Sequence, residues 1–396
     1  MQLLQDLKIN NNRIIGRIMI LALALMAVVS LYAGAKNAFY YSQDFQWDAA
    51  KALWQKIDPY ELSLNPGMNY ESKELEEFYR LFTDKGLKQK MEANQFPSLL
   101  LLLVPYTFMP PFTAKIAWLI SNLLFTIGII VFLRKTFLAK LSLFEFSAVT
   151  LLMIAGTPYR NQLGVGQHTL FSFFFFLLAV YFERREKSIS GSVAITISLF
   201  ISYFKYTLTA PLALYFVYRK RYKELVISVL MHVLLTIVMA ARMGKSVIYM
   251  ITAPLQVSMN LSGEGGIDIG ALVGGGKLSL LIAAVVGIFL LVLCIKMPEG
   301  CDDYLVPVLI FWSLILTYHR TYDFFVLSAA VMMFTDKKNN RPLLAGYLIV
   351  VLAVYFGLRL FNENTPSRIV VGVMYYILTV LITYFAVKIG RTKSNE

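Results

Sequence analysis

Charge is what this chain has least of. Asp, Glu, Lys and Arg make up 15% of its 396 residues, against about 25% in a soluble domain. Cysteine is limited to Cys294 and Cys301, which excludes a disulfide framework and fits no metal or redox spacing. There are only three histidines. No His-x-x-x-His, Walker-type loop, dinucleotide fingerprint or serine-nucleophile motif occurs, so metal, nucleotide and hydrolase readings find no support. What fills the chain instead is apolar: 58% of residues, with a mean hydropathy of +0.62. A soluble globule of this length cannot hide that much apolar surface, so lipid must be its solvent. An ordinary cytosolic enzyme and a disordered protein are thereby excluded. The net charge of +13 reads first as membrane topology, since cytoplasmic loops collect Lys and Arg, and not as nucleic-acid binding.

The hydropathy predicts an all-α polytopic membrane protein with about twelve transmembrane helices and both termini cytoplasmic. The spans are Ile14–Ala33, Phe112–Leu133, Leu143–Thr157, His168–Phe182, Ser190–Phe204, Thr207–Tyr218, Glu224–Met243, Leu278–Ile295, Tyr304–Tyr318, Tyr322–Phe334, Leu343–Leu360 and Ile369–Val387. The first is long enough to span and is not read as a cleavable signal. Lys8 and Arg13 precede it, and Arg17 falls at its start. Arg134, Lys135 and Lys140, then Arg184, Arg185 and Lys187, then Arg219, Lys220, Arg221 and Lys223 fall in alternate loops, as the positive-inside rule requires. Residues 1–396 read as a single integral membrane domain. A large first outer loop, 35–95, carries a helix-like stretch at Glu71–Gln89, and a loop this long is usually functional. The short, proline-punctuated run Phe96–Met109 would invert every later loop if it spanned. The stretch 96–111 is therefore placed as a re-entrant or interfacial element on the outer face, which implies a cavity to cover it.

Several polar residues fall on that outer face, where topology gives no reason for cations. Asp44, in Gln43-Asp44-Phe45-Gln46, sits just beyond the first span among aromatics. It is either a helix N-cap, a role open to Ser42 as well, or a partly desolvated general base. Asp48 and Asp58 read as solvated or turn residues. Lys205 stands between two apolar runs and either snorkels to the interface or meets an anionic headgroup. His319 and Arg320 can both donate to phosphate oxygens, unless Arg320 simply pairs with Asp323. Arg160, Gln167 and His168 surround a Gly-rich corner suited to sugar or phosphate, although His168 alone reads as structural. One acid beside several cations at a membrane cavity suggests transfer chemistry on a lipid-linked phosphate.

In order along the chain come Asp44-Phe45 leading to Asp58-Pro59-Tyr60, Phe96-Pro97 running to Pro105 and Pro110, Gly166-Gln167, Lys205 followed by Arg219-Lys220-Arg221, and His319. In this the chain resembles glycosyltransferase family 87, polytopic enzymes of GT-C type that include polyprenol-phosphate-mannose-dependent mannosyltransferases. The resemblance runs from about Tyr41 to Asp336. It implies a GT-C type fold and an inverting sugar transfer, mannose by default, from a polyprenyl-phosphate donor to a lipid or glycan acceptor. Asp44 would be the base, and Lys205, His319 and Arg320 would stabilise the phosphate, with Gln167 and Arg160 as further donor-binding candidates. No cofactor, metal or nucleic acid is implied. The site would be extracytoplasmic on a bacterial inner membrane. Two departures stand out: Gln46-Trp47 follows Asp-Phe where members often have Tyr, and Tyr318 precedes His319 where a Trp-x-His is frequent. The competing readings are a polyprenyl-linked saccharide flippase or other secondary transporter, which predicts internal repeats that are not found, and a surface-polysaccharide ligase or polymerase.

Overall fold

The computed structural model describes residues 2–65, 72–185, 188–261, 266–273, 276–335, 341–357 and 366–394. Glu71, Lys187, Asp336, residues 358–360, part of the Gly-rich stretch after Met243 and the side chains of Lys8 and Arg13 lie outside them. Among the described residues the chain is all-helical. In order the helices are α1 (Gln2–Tyr40), α2 (Trp47–Trp54), α3 (Pro59–Leu64), α4 (Lys73–Thr83), α5 (Pro97–Thr107), α6 (Pro111–Thr136), α7 (Leu143–Ala155), α8 (Thr157–Val165), α9 (Thr169–Arg185), α10 (Ile189–Ser202), α11 (Tyr206–Tyr218), α12 (Tyr222–Met243), α13 (Val247–Leu261), α14 (Ile269–Val273), α15 (Gly276–Lys296) and α16 (Asp302–Leu316). A 3₁₀ helix, Thr321–Phe334, follows, and then α17 (Arg341–Leu352), extended by a π-helical turn Ala353–Gly357, and α18 (Pro366–Ser394).

Each expected apolar run is largely helical where it is described, with Gly156, His168, Thr317 and Tyr318 falling outside the helices. Among the described residues, six helical segments are long and apolar enough to cross a membrane, or seven if the bent pair α8–α9 counts as one span. The others are shorter helices such as α7 and the 3₁₀ segment. The outer helices turn their apolar residues outward: Ile14, Val28, Leu281, Ile288 and Val380 are all exposed. Surface of this kind is sustainable only against lipid. In contrast α16 and the 3₁₀ helix are buried almost throughout.

The basic segments gather at one end of the bundle. Arg134 donates to the carbonyls of Leu138 and Leu141 at 2.8 and 2.6 Å. Lys140 pairs with Asp303 at 3.3 Å, and Arg184 with Asp302 at 3.5 Å. Arg219 Nε donates to Glu183 at 2.9 Å. That last pair joins the residues just before α10 and just after α11. The continuous helical segment Ile189–Tyr218 therefore has its two ends together, whereas a straight helix of that length would separate them by about 45 Å. It is a hairpin with its apex at the 3₁₀ turn Tyr203–Lys205, which puts Lys205 far from the basic end. At the opposite end, Lys115, roughly 28 Å up α6 from Arg134, donates to the Tyr40 carbonyl at 3.0 Å.

This second end carries the cap formed by α2, α3 and α4, packed around Phe45, Trp47, Tyr60, Phe78 and Phe82. The first helix continues to Tyr40, beyond the expected Ala33, and α4 is shorter than the expected Glu71–Gln89. Residues beyond Thr83 turn at Gly86, where φ is 71°. The element α5 dips into the bundle: Ser98 Oγ meets His232 Nδ1 at 3.0 Å, midway along α12. Its freed C-terminal carbonyls are covered by protein. Trp47 Nε1 donates to Tyr106 at 3.0 Å and Lys51 Nζ to Thr107 at 3.2 Å, as irregular backbone at such depth requires.

Candidate active site

Asp44 is held by a corner between α1 and α2. Its N–H donates to the Val165 carbonyl at 2.9 Å. Ser42 and Gln46 adopt positive φ of 45° and 60° on either side. Phe45 stacks on Trp118 with centroids 5.1 Å apart, and Trp118 Nε1 donates to Gly166 O at 2.7 Å. Gly166 is left-handed (φ 71°), and a Cβ there would stand 3.1 Å from that of Ser42, so the corner needs glycine. His168 Nε2 meets the Phe45 carbonyl at 2.9 Å. It is buried and bonded, as a structural histidine should be.

The cap reading of Asp44 does not hold. The N-cap of α2 is Gln46, with no side-chain capping bond, and Ser42 Oγ turns back to Ala38 O at 2.7 Å. The Asp44 carboxylate instead faces Gln167, whose Nε2 donates to it at 3.4 Å and to Tyr322 Oη at 2.8 Å. Surrounding protein desolvates it and raises its pKa to about 6, against the pull of Lys205 and then Arg320.

Lys205 does not snorkel. It is buried beside Asp323, with Nζ 3.5 Å from Oδ2, and Tyr322 presents its ring 5.4 Å away. Asp323 is also bonded by His319 Nδ1 at 2.7 Å and by Thr169 Oγ1. Removing one partner from such a buried pair costs about 3–5 kcal/mol. Arg320 therefore does not neutralise Asp323; its Nε donates to the Tyr318 hydroxyl, and its charge acts on Asp44. Asp44, Gln167, Tyr322, Lys205, Asp323 and His319 thus form one connected cluster. Arg160 is joined to Asn161 instead, at 3.3 Å. A cavity of about 60 Å³ opens among Gln167, Lys205, Tyr318, Tyr322, Asn94 and Gln95.

Asp58 is a turn residue as expected. It caps α3 through Tyr60 and Glu61 N–H and pairs with Lys245 at 3.1 Å. Asp48 is a correction: it is buried and bonded by the Tyr79 hydroxyl, and burial raises its pKa to about 6. The sequence reading underrated Asp323, Tyr322 and Thr169. An aspartate four residues after a histidine, inside an apolar run, was the available signal.

Two apolar grooves share wall residues with the cavity. One, of about 420 Å³, runs between α5, the 3₁₀ turn at Tyr203, α11 and α12, touches α13 at Ile251, and includes Tyr206 and His232. The other, of about 450 Å³, runs between α11, α15 and α16 and includes Tyr206 and Thr207.

The family model of glycosyltransferase family 87 covers residues 97–317, more than half of the chain. No curated protein matches, and no solved structure does. The matched region contains Arg160, Gln167 and Lys205, while Asp44, His319 and Arg320 lie on either side of it.

Proposed function

The chain belongs to glycosyltransferase family 87, and from that premise we propose that it transfers a sugar, mannose by default, from a polyprenyl phosphate to a lipid or glycan acceptor with inversion, using a GT-C type fold. The observation that carries the reading is one raised carboxylate, Asp44, linked through Gln167 and Tyr322 to the polar cavity that the buried cation Lys205 also lines, with apolar grooves sharing its walls at Tyr206 and Thr207. Asp44 accepts the acceptor hydroxyl's proton as that oxygen bonds the anomeric carbon. The bond from that carbon to the phosphate oxygen breaks, and its electron pair leaves with the polyprenyl phosphate. Lys205 and Arg320 meet the charge that grows there, with an oxocarbenium-like transition state between. Gln167 orients the reacting groups, and His319 holds Asp323 against Lys205. Arg160 takes a more distant place on α8. An apolar groove beside Tyr206 receives the prenyl chain. The cavity is smaller than the roughly 300 Å³ of usual ligand sites, so the sugar phosphate enters as its walls part. No cofactor is called for, because the phosphodiester carries the energy.

We place the site on the extracytoplasmic side of a bacterial inner membrane, beneath the 35–95 loop, with both termini cytoplasmic, about twelve spans and 96–111 as a re-entrant element. A secondary transporter is the competing reading, but the polar residues cluster at one end of the bundle and not at its middle. The test is transfer of label from a polyprenyl phosphoryl mannose by the purified protein in nanodiscs. Wild type transfers and Asp44→Asn does not. Full transfer by Asp44→Asn, or none by wild type across mannosyl, arabinofuranosyl and glucosyl donors, overturns the proposal.

A further inference from the structure

Besides Gln95 Oε1 and Thr207 Oγ1 on the cavity wall, the buried polar atoms with no hydrogen-bond partner among the described residues include three more: Asp268 Oδ2, His319 Nε2 and the Tyr376 hydroxyl. They come from three separate elements: the turn before α14, the corner after α16, and α18. Asp268 and His319 are each 1% exposed. The Asp268 charge acts on both His319 and Tyr376. Gly266 fixes the approach. A Cβ on it would collide with Asp268 Oδ2 and stand 3.1 Å from the His319 carbonyl. On the α18 side, Ile267 packs 3.6 Å from the place of a Gly372 Cβ.

The other Asp268 oxygen is already used, since Oδ1 accepts from Ala271 N–H at 3.1 Å. His319 Nδ1 is likewise committed to Asp323. Each residue therefore keeps one polar atom in reserve. Leaving such atoms buried and unpaired is costly, a cost that a bound ligand removes. A phosphate would be repelled by the carboxylate. A neutral hydroxyl suits it, and the imidazole nitrogen and phenol complete the shell.

We propose that Asp268 is a sugar-recognising residue whose Oδ2, together with His319 Nε2 and the Tyr376 hydroxyl, binds a hydroxyl of the saccharide being handled. This rests on the transfer reading above and divides its labour. Lys205 and Arg320 serve the phosphate, and Asp268 serves the sugar. The hydroxyl belongs either to the donor sugar or to a sugar acceptor, and the two sources separate experimentally.

The full-length protein in nanodiscs is titrated with farnesyl phosphate and with farnesyl phosphoryl mannose, and the KM for octyl mannoside as acceptor is measured. Two variants are compared with wild type. Asp268→Asn is isosteric, and Asp268→Ser keeps an N-capping oxygen but withdraws Oδ2. A loss of at least tenfold in affinity for the mannosylated ligand, with farnesyl phosphate unchanged, assigns the hydroxyl to the donor sugar. A tenfold rise in the octyl mannoside KM, with both donor-side affinities unchanged, assigns it to the acceptor. The proposal is overturned if all three constants stay within twofold of wild type, or if farnesyl phosphate binding falls in parallel. Wild type that binds neither farnesyl compound fails the donor reading itself, and the proposal falls with it.

Discussion

At the residue scale, the decisive feature is a carboxylate that remains ionised at neutral pH yet is more basic than usual. Desolvation raises Asp44 to about 6, so its base form is depleted as pH falls through that value. Transfer should therefore show an acid limb in kcat/KM near pH 6. Asp48 is raised to the same region, but it is satisfied by Tyr79. Asp48→Asn should keep the limb, while Asp44→Asn should lower turnover by about 10²–10⁴-fold. A limb that persists unchanged in an active Asp44→Asn protein would remove Asp44 from the role. The charges that matter were legible in the sequence because they had no topological excuse. Asp44, Lys205 and His319 stood out in apolar or interfacial surroundings. Their mutual arrangement was not legible. Asp323 looked like a partner for Arg320 one turn away, but Lys205 reaches it from a hairpin more than a hundred residues upstream. Asp268 gave no signal at all, because an unpaired buried atom is a property of packing.

At the element scale, two devices hold the cluster. One is the Gly166 corner. Gly166→Ala forces a left-handed alanine, at about 1–2 kcal/mol, against Ser42, beside the residues that anchor Asp44. It should lower the melting temperature and cut kcat. Gly86 has the same φ of 71° but open space around it, so Gly86→Ala should leave kcat unchanged; equal losses in both would show that the corner does not place Asp44. The other device is the 3₁₀ helix Thr321–Phe334. Fourteen residues in this form rise about 28 Å, against about 21 Å as α-helix, so a short run approaches the thickness of a bilayer core. Hydropathy recognises a helix there but not its pitch. One of its steps is bonded by a distant tyrosine. Tyr355 Oη donates to Phe325 O at 2.8 Å and accepts from Ser328 N at 3.2 Å, standing inside an i→i+3 step. Tyr355→Phe frees two backbone groups that can partly re-pair with each other. Its cost should fall at the lower end of the usual range, about 1 kcal/mol, read as a lowered melting temperature in detergent.

At the scale of the whole molecule, the bundle sorts charge by end. The basic loops after α6, α9 and α11 pair with Glu183, Asp302 and Asp303 at one end, while Asp44, Lys205 and His319 converge at the other. The positive-inside rule read from sequence assigns the first end to the cytoplasm, and the hairpin of Ile189–Tyr218 explains how two half-length runs keep that alternation. On the proposed reading, a donor whose prenyl chain lies in the membrane meets its acceptor on the far side. Thiol labelling tests this directly, because the native Cys294 and Cys301 are both buried and give little background. Lys88 is exposed beside the cap, and Lys140 is exposed at the basic end. A membrane-impermeant maleimide should label Lys88→Cys in intact cells and Lys140→Cys only in inverted vesicles. Labelling of both from one side would mean that the two ends do not straddle the bilayer. A reversed pattern would put Asp44 in the cytoplasm, where nucleotide sugars are made, and the case for a lipid-linked donor would lose its topological support.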